Sequence, residues 1–276
     1  MNADLPLAIC VAPNGARKTR KDHPAVPVTP AEVGEGARRW REAGAAMLHL
    51  HVRDKDAGHV LDAELYVEAT KAVRAAVGDD MVIQITTEAV GKYTAPEQMA
   101  VVRAVRPEAV SLAVRELIPD AAHETDAAAF LKEIVGFGCA PQYILYSAED
   151  VARLQDLRRR GIIPGNRANV LFVLGRYSRD QESDPRDLLP FVEHWDPATD
   201  GPFSVCAFGR KEGACVLTAG GLGGHARVGF ENNVLCADGS TAGDNADLIA
   251  QVVAGARLLG RPVATADDIR RIMSPS

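Results

Sequence analysis

Leu7-Ala8-Ile9-Cys10-Val11-Ala12-Pro13-Asn14-Gly15-Ala16-Arg17 is the stretch that chooses between two folds. Residues 7–12 are continuously apolar, as a strand covered on both faces must be. In an open, doubly wound sheet that binds a dinucleotide, glycines at fixed spacing follow such a first strand, so that a pyrophosphate can approach the backbone. The turn Ala12-Pro13-Asn14-Gly15-Ala16-Arg17 lacks that pattern. The open sheet becomes the second choice, and a closed barrel the first.

Seven further apolar runs follow, at 46–52, 81–86, 109–114, 141–146, 170–175, 203–208 and 226–230. Amphipathic segments separate them, and several carry helix start signals. Thr29-Pro30-Ala31-Glu32 is a capping box with proline at the first helical position. Ser147-Ala148-Glu149-Asp150 has the same form, and Asp62-Ala63-Glu64 brings acid to the start of another helix. Gly44, Gly78 and Gly161 stand where helices should stop. Residues 244–259 form a last amphipathic helix, and 265–273 a short C-terminal helical extension. Eight strands alternating with eight helices predict an α/β fold, one (β/α)8 TIM barrel spanning residues 1–276 as a single domain.

The composition narrows the function classes. The chain is 47% hydrophobic and 25% charged, with a net charge of −6 and no basic face, so nucleic acid is not an expected partner. Aromatics make up only 5%, too few for a base-stacking surface. Five scattered cysteines form no CxxC pair and fit a reducing compartment. No run of about 18 apolar residues and no leader pattern occurs, which predicts a cytoplasmic protein that does not span a membrane.

In a barrel of this kind the working residues gather at the C-terminal ends of the strands. The second run ends Met47-Leu48-His49-Leu50-His51-Val52-Arg53-Asp54. Residues two apart on a strand share a face, so His49 and His51 project together into the mouth. Two converging imidazoles suit zinc, nickel or cobalt. The plain alternative is a pair of hydrogen-bonded core histidines. The eighth run ends Arg227-Val228-Gly229-Phe230-Glu231-Asn232-Asn233, and its closing position makes Glu231 the natural third ligand rather than a solvated loop glutamate. Metal hydrolases of the amidohydrolase type also begin with an HxH pair. They place it on the first strand and add histidines on the fifth and sixth; here the pair is on the second, and the remaining histidines read as loop or helix residues, which disfavours that class.

Three blocks carry a resemblance: 23–32 (His23-Pro24-Ala25-Val26-Pro27-Val28-Thr29-Pro30-Ala31-Glu32), 44–54 around the HxH pair, and 223–233, followed by Gly260-Arg261-Pro262-Val263-Ala264-Thr265. Together they resemble the β-keto acid cleavage enzymes, the family named for 3-keto-5-aminohexanoate cleavage. The resemblance implies a zinc (Zn2+) barrel that joins a β-keto acid to acetyl-CoA, giving acetoacetate and a new acyl-CoA. It also implies zinc on His49, His51 and Glu231, an arginine at Arg227 that assists removal of the C2 proton, and a homo-oligomer, a tetramer in the family.

The surrounding shell departs from the family pattern. The aspartate expected after the ligand glutamate is Asn232, which cannot act as a carboxylate base. The first turn, Asn14-Gly15-Ala16-Arg17, carries Arg17 in place of a glutamate. The third strand ends Thr86-Thr87-Glu88-Ala89 instead of in glycines, and the fourth Ala113-Val114-Arg115-Glu116. These exchanges predict a more charged pocket. Asn14, Arg17, Arg115 and Asn232 are the expected substrate contacts, with Thr86 supplying a hydroxyl. Glu88 becomes the expected base, the alternative being a loop glutamate paired with Arg115 or Lys92. Gly220-Gly221-Leu222-Gly223-Gly224 and Gly209-Arg210-Lys211 are expected near CoA phosphates, unless they are a flexible link and a surface turn; Gly175-Arg176-Tyr177 is expected as a surface turn within reach of the pocket. Two further functions stand beside the acyl transfer: a zinc lyase or hydrolase that does not use CoA, and a metal-bound, ligand-sensing relative without turnover.

Overall fold

Strand follows capped helix around a closed ring in the computed structural model, which describes residues 5–274. In chain order the elements are β1 (Ile9–Val11), α1 (Pro30–Ala43), β2 (Met47–Leu50), β3 (Val52–Arg53), β4 (His59–Val60), α2 (Ala63–Val77), β5 (Val82–Thr86), α3 (Ala95–Val105), β6 (Ala109–Ala113) and α4 (Val114–Leu117). They continue with α5 (Glu124–Gly136), β7 (Ala140–Leu145), α6 (Ala148–Arg159), β8 (Asn169–Leu174), α7 (Leu189–Val192), β9 (Phe203–Ala207), α8 (Glu212–Gly221), β10 (His225–Val228), α9 (Asn245–Leu258) and α10 (Ala266–Met273). The ring runs β1-β10-β9-β8-β7-β6-β5-β2, every pair parallel, so the fold is a (β/α)8 TIM barrel. Among the described residues no helix is long and apolar enough to cross a membrane.

The helix signals are met locally. Thr29 and Glu32 close a reciprocal capping box, and Gly44 ends α1 at a φ of +118. At α6 the cap is one-sided. Ser147 Oγ accepts from the Asp150 amide, but the Asp150 carboxylate accepts from the Tyr146 amide and from Arg115 instead of closing the box.

Four details differ from the sequence expectation. The second barrel strand ends at Leu50; Val52–Arg53 pairs antiparallel with His59–Val60 in a small ribbon. The ribbon forms because Asp54 closes a tight turn on Gly58 and because Arg53 is drawn under the first barrel turn, where carbonyls await it. His59 thus lies in the ribbon, and His225 opens β10, so both are on strands rather than in loops or helices. Between β8 and β9, a 3-10 turn (Pro185–Leu188) and the single turn of α7 replace a full helix, in a segment interrupted by Pro185, Pro190, Pro197 and Pro202. A short α4 is added directly after β6.

The barrel interior is not wholly apolar. Gln84, Gln142, Asn169 and Ser204 form a chain of side-chain hydrogen bonds across β5, β7, β8 and β9. Around it lies an apolar shell built from Ile9, Leu48, Ile85, Phe172, Val205 and Phe230 with the inner faces of the helices. The cysteines are all free; four are buried and Cys236 is half-buried.

Candidate metal centre and active site

His49 stands one residue before the end of its strand with its ring 1% exposed, and its Nδ1 lies 2.8 Å from Gln84 Oε1. Gln84 directs its amide N–H onward to Gln142, so its oxygen is the end that meets the imidazole. His49 therefore donates from Nδ1 and keeps a lone pair on Nε2. That Nε2 lies 3.1 Å from His51 Nε2, with the two rings edge-on at 72°. Burial, with the Arg227 charge next in weight, pushes His49 down to about 3; burial and His49 itself hold His51 well below its usual range. Both rings are neutral, the form in which imidazole binds a metal.

Glu231 reaches the same point from the turn after β10. Gly229 makes that turn at a φ of +142, where a Cβ would collide with the Ala12 carbonyl, and the Glu231 amide then donates to Ala12 O at 3.0 Å. One carboxylate oxygen accepts from Arg227 Nη2 at 2.7 Å. The other, Oε2, is buried without a hydrogen-bond partner and stands 3.7 Å from His49 Nε2. Burial alone would raise this carboxyl, but the Arg227 guanidinium bonded to it holds it below the ordinary range. Two imidazole lone pairs and an orphaned buried carboxylate oxygen within 4.8 Å of one another suit one divalent cation of the zinc, nickel or cobalt kind, with a coordination position left for water or substrate. The hydrogen bond from His49 to Gln84 is the outer support such a ligand needs.

A narrow chamber of about 30 Å³ opens beside this triad, lined by His49, Thr86, Glu88, Tyr146, Arg227 and Glu231 among others. Arg227 is buried, with Nε and Nη1 lacking partners. Thr86 Oγ1 accepts from the Glu88 amide. Burial, then the Glu231 charge, pushes the Glu88 carboxyl up to about 7, and its nearest cation is Arg176 at 3.5 Å, not Arg115 or Lys92. The chamber shares Glu88, Arg176, Phe208 and Glu231 with an outer cavity of about 410 Å³. Arg17, Arg210 and Asn232 line that outer cavity.

Other sequence candidates lie elsewhere. Asn14 is buried behind the turn, its amide donating to Pro27 O and His51 O, and it lines neither space. Arg115 turns outward to Asp150 at 2.5 Å and stacks over Tyr146. Glu116 holds the Ala89 amide and Gln98. Residues 220–224 include the end of α8 and the turn before β10, and they line neither the chamber nor the outer cavity.

Several contributors had no legible signal. Arg53 and Gln84 act through partners far along the chain. His59 brings its ring to 5.2 Å from His51 and its Nε2 to the Glu88 carbonyl at 2.9 Å. Glu212, at the start of α8, is fully buried; it accepts from the Gly229 amide and from the side chains of Asn232 and Asn233, and burial pushes it up to about 8. Its position just after Gly209-Arg210-Lys211 was the one available hint.

Comparisons with known proteins give the family and the fold. Residues 6–274 match the family described as beta-keto acid cleavage enzyme. The chain is 30% identical to the 3-keto-5-aminohexanoate cleavage enzyme of Acetoanaerobium sticklandii, covering 98% of both chains. It is 27% identical to the 3-oxoadipate:acetyl-CoA acetyltransferase of Cupriavidus necator, covering 97% of this chain and 94% of the relative. The apo structure of ObcA superposes with a TM-score of 0.72 at 17% identity; the match covers 91% of this chain and 66% of that one, a likeness of fold. The chain belongs to the beta-keto acid cleavage enzyme family.

Proposed function

We propose that the protein is a zinc-dependent acyltransferase that joins a β-keto acid to acetyl-CoA, releasing acetoacetate and the CoA thioester of the remaining acyl group. The carrying observation is the convergence of His49 Nε2, His51 Nε2 and Glu231 Oε2 beside a buried arginine with two uncommitted N–H donors. When bound, the metal supplies Lewis acidity toward the keto and carboxylate oxygens, and nickel or cobalt would suit the same donors.

Arg227 donates Nε–H and Nη1–H to the oxygen on which negative charge develops. Thr86 offers its hydroxyl proton to the substrate carboxylate. Glu88 takes the C2 proton onto a carboxylate oxygen, the role that Asn232 cannot fill. Asn232 instead presents its unpartnered Oδ1 as an acceptor at the cavity wall, held from behind by Glu212. In the net exchange the acetyl–sulfur bond breaks as the acetyl group joins C2, the C2–C3 bond breaks as the CoA sulfur joins C3, and Glu88 returns its proton to C2 of the acetoacetate released. This reading includes a cytoplasmic homo-oligomer, in keeping with unpaired thiols and the family resemblance.

The test incubates metal-replete protein with acetyl-CoA and a panel of β-keto acids, following acetoacetate and new acyl-CoA by mass spectrometry. Both products are expected in equal amounts. His49→Ala or His51→Ala should lose the metal by elemental analysis while keeping the circular dichroism of the barrel. Keto acid consumption without CoA would instead indicate a lyase or hydrolase, and binding without turnover a sensor. Full metal occupancy in either variant would overturn the ligand assignment.

A further inference from the structure

The inner chamber is small, so the far end of any β-keto acid must extend into the outer cavity. One wall of that cavity is the turn after β1, which is held rigidly. Arg53, buried under it, donates to the carbonyls of Asn14 (3.2 Å), Ala16 (3.0 Å), Lys18 (3.0 Å) and Gly15. Gly15 lies flat against the Glu231 side chain, where a Cβ would collide with it. The next residues, Arg17 and Lys18, are thereby fixed at the cavity wall beside the metal ligand.

Neither cation makes a direct ion pair. Among the described residues, no carboxylate lies within ion-pair distance of Arg17 or Lys18, and neither side chain donates a hydrogen bond; Lys18 is half-buried and Arg17 exposed. The nearby carboxylates are engaged elsewhere. Glu231 bonds Arg227, Glu88 faces Arg176, Asp22 accepts from Thr19, and Glu212 accepts three N–H groups. The same cavity is also lined by Asp180, Glu182 and Arg210, so its charge elsewhere is mixed. Glu212, Asp22 and Glu231 act on the Lys18 ammonium only at longer range, and its desolvation outweighs them; an anionic ligand group in contact with it would relieve that cost.

We infer that the β-keto acid taken by this site carries a second anionic group, such as a carboxylate, at the end remote from its β-keto carboxylate, and that Lys18 and Arg17 receive it. The inference rests on the function proposed above. The phosphates of CoA are the other anions that could meet these side chains, and the experiment separates the two sources.

Three six-carbon 3-oxo acids that differ only at the far end, in carboxylate, methyl or ammonium, are compared on metal-loaded enzyme. The expected order of kcat/KM puts the diacid first. Lys18→Met should lower the diacid-to-methyl ratio by about tenfold or more, the scale of a lost charged hydrogen bond, and Lys18→Arg should restore it. Preference for the methyl or ammonium acid overturns the inference, as does an unchanged ratio in Lys18→Met. A rise in KM for acetyl-CoA by one factor with every acid would assign the cations to CoA and overturn it equally. If no acid turns over, the acyl-transfer reading fails, and calorimetry without acetyl-CoA still decides. Tighter binding of the diacid, lost in Lys18→Met, upholds the inference, and equal binding of the three acids overturns it.

Discussion

At position 88 a carboxylate stands where the family pattern has glycine, and its surroundings favour a proton acceptor. Burial and the Glu231 charge raise its pKa to about 7, Arg176 opposes them weakly at 3.5 Å, and a divalent cation nearby would draw it lower. A base works deprotonated. Exchange of solvent deuterium into C2 of a bound keto acid, without acetyl-CoA, should therefore fall as pH drops through this titration, at or below about 7. Glu88→Gln should reduce that exchange by about a hundredfold or more and abolish the acid limb, with metal content unchanged. Wild-type exchange in the variant would remove Glu88 from the mechanism. The sequence placed this residue at a strand end, but not its partner: Arg176 comes from the loop after β8 and meets Glu88 only once the barrel closes.

Between β1 and α1 a turn without regular structure is made rigid by a side chain from another element. In the sequence Arg53 belongs to the strand end that carries the histidines. Instead it leaves the barrel, enters the ribbon of β3 and β4, and gathers four carbonyls of residues 14–18 with a fifth from Ala57. Arg53→Lys keeps the charge and loses the planar fork, leaving carbonyls of a buried turn without donors. A loss of about 2–4 kcal/mol in urea unfolding is expected, with faster proteolysis within residues 14–20. A change below about 0.5 kcal/mol would show that the clamp is incidental.

Across the whole barrel the two ends divide their labour. Polar and charged groups gather at the C-terminal mouth, while α10 seals the other end. Ile269 and Met273 of α10 pack with Ala8, Met47, Val82 and Ala109 in an apolar cluster. Arg270 pairs with Glu108, which also holds Arg74. Ile269→Ala should cost about 2–4 kcal/mol of stability by leaving a cavity there. Metal stoichiometry should stay at the wild-type value, because conservation of fold geometry at the mouth does not depend on that seal. Loss of metal in a folded variant would mean the two ends are coupled.

Local signals in the chain determined the ring of strands, the capped helices and the HxH pair, because each depends on neighbours within a turn or a strand's length. Thr29 with Glu32, Gly44 after α1 and His49 with His51 are of this kind. So is the place of Glu231 just past the last strand, given that a closed barrel returns there. Tertiary structure alone decided which charges meet. Arg115 and Arg17 both stand at strand ends in the sequence, yet one turns out to Asp150 and the other faces the cavity. Gln84 behind His49, Arg53 under the first turn and Glu212 behind Asn232 are joined to their partners across 35, 39 and 20 residues. Burial and hydrogen-bond geometry set such pairs, and neither is written in spacing along the chain.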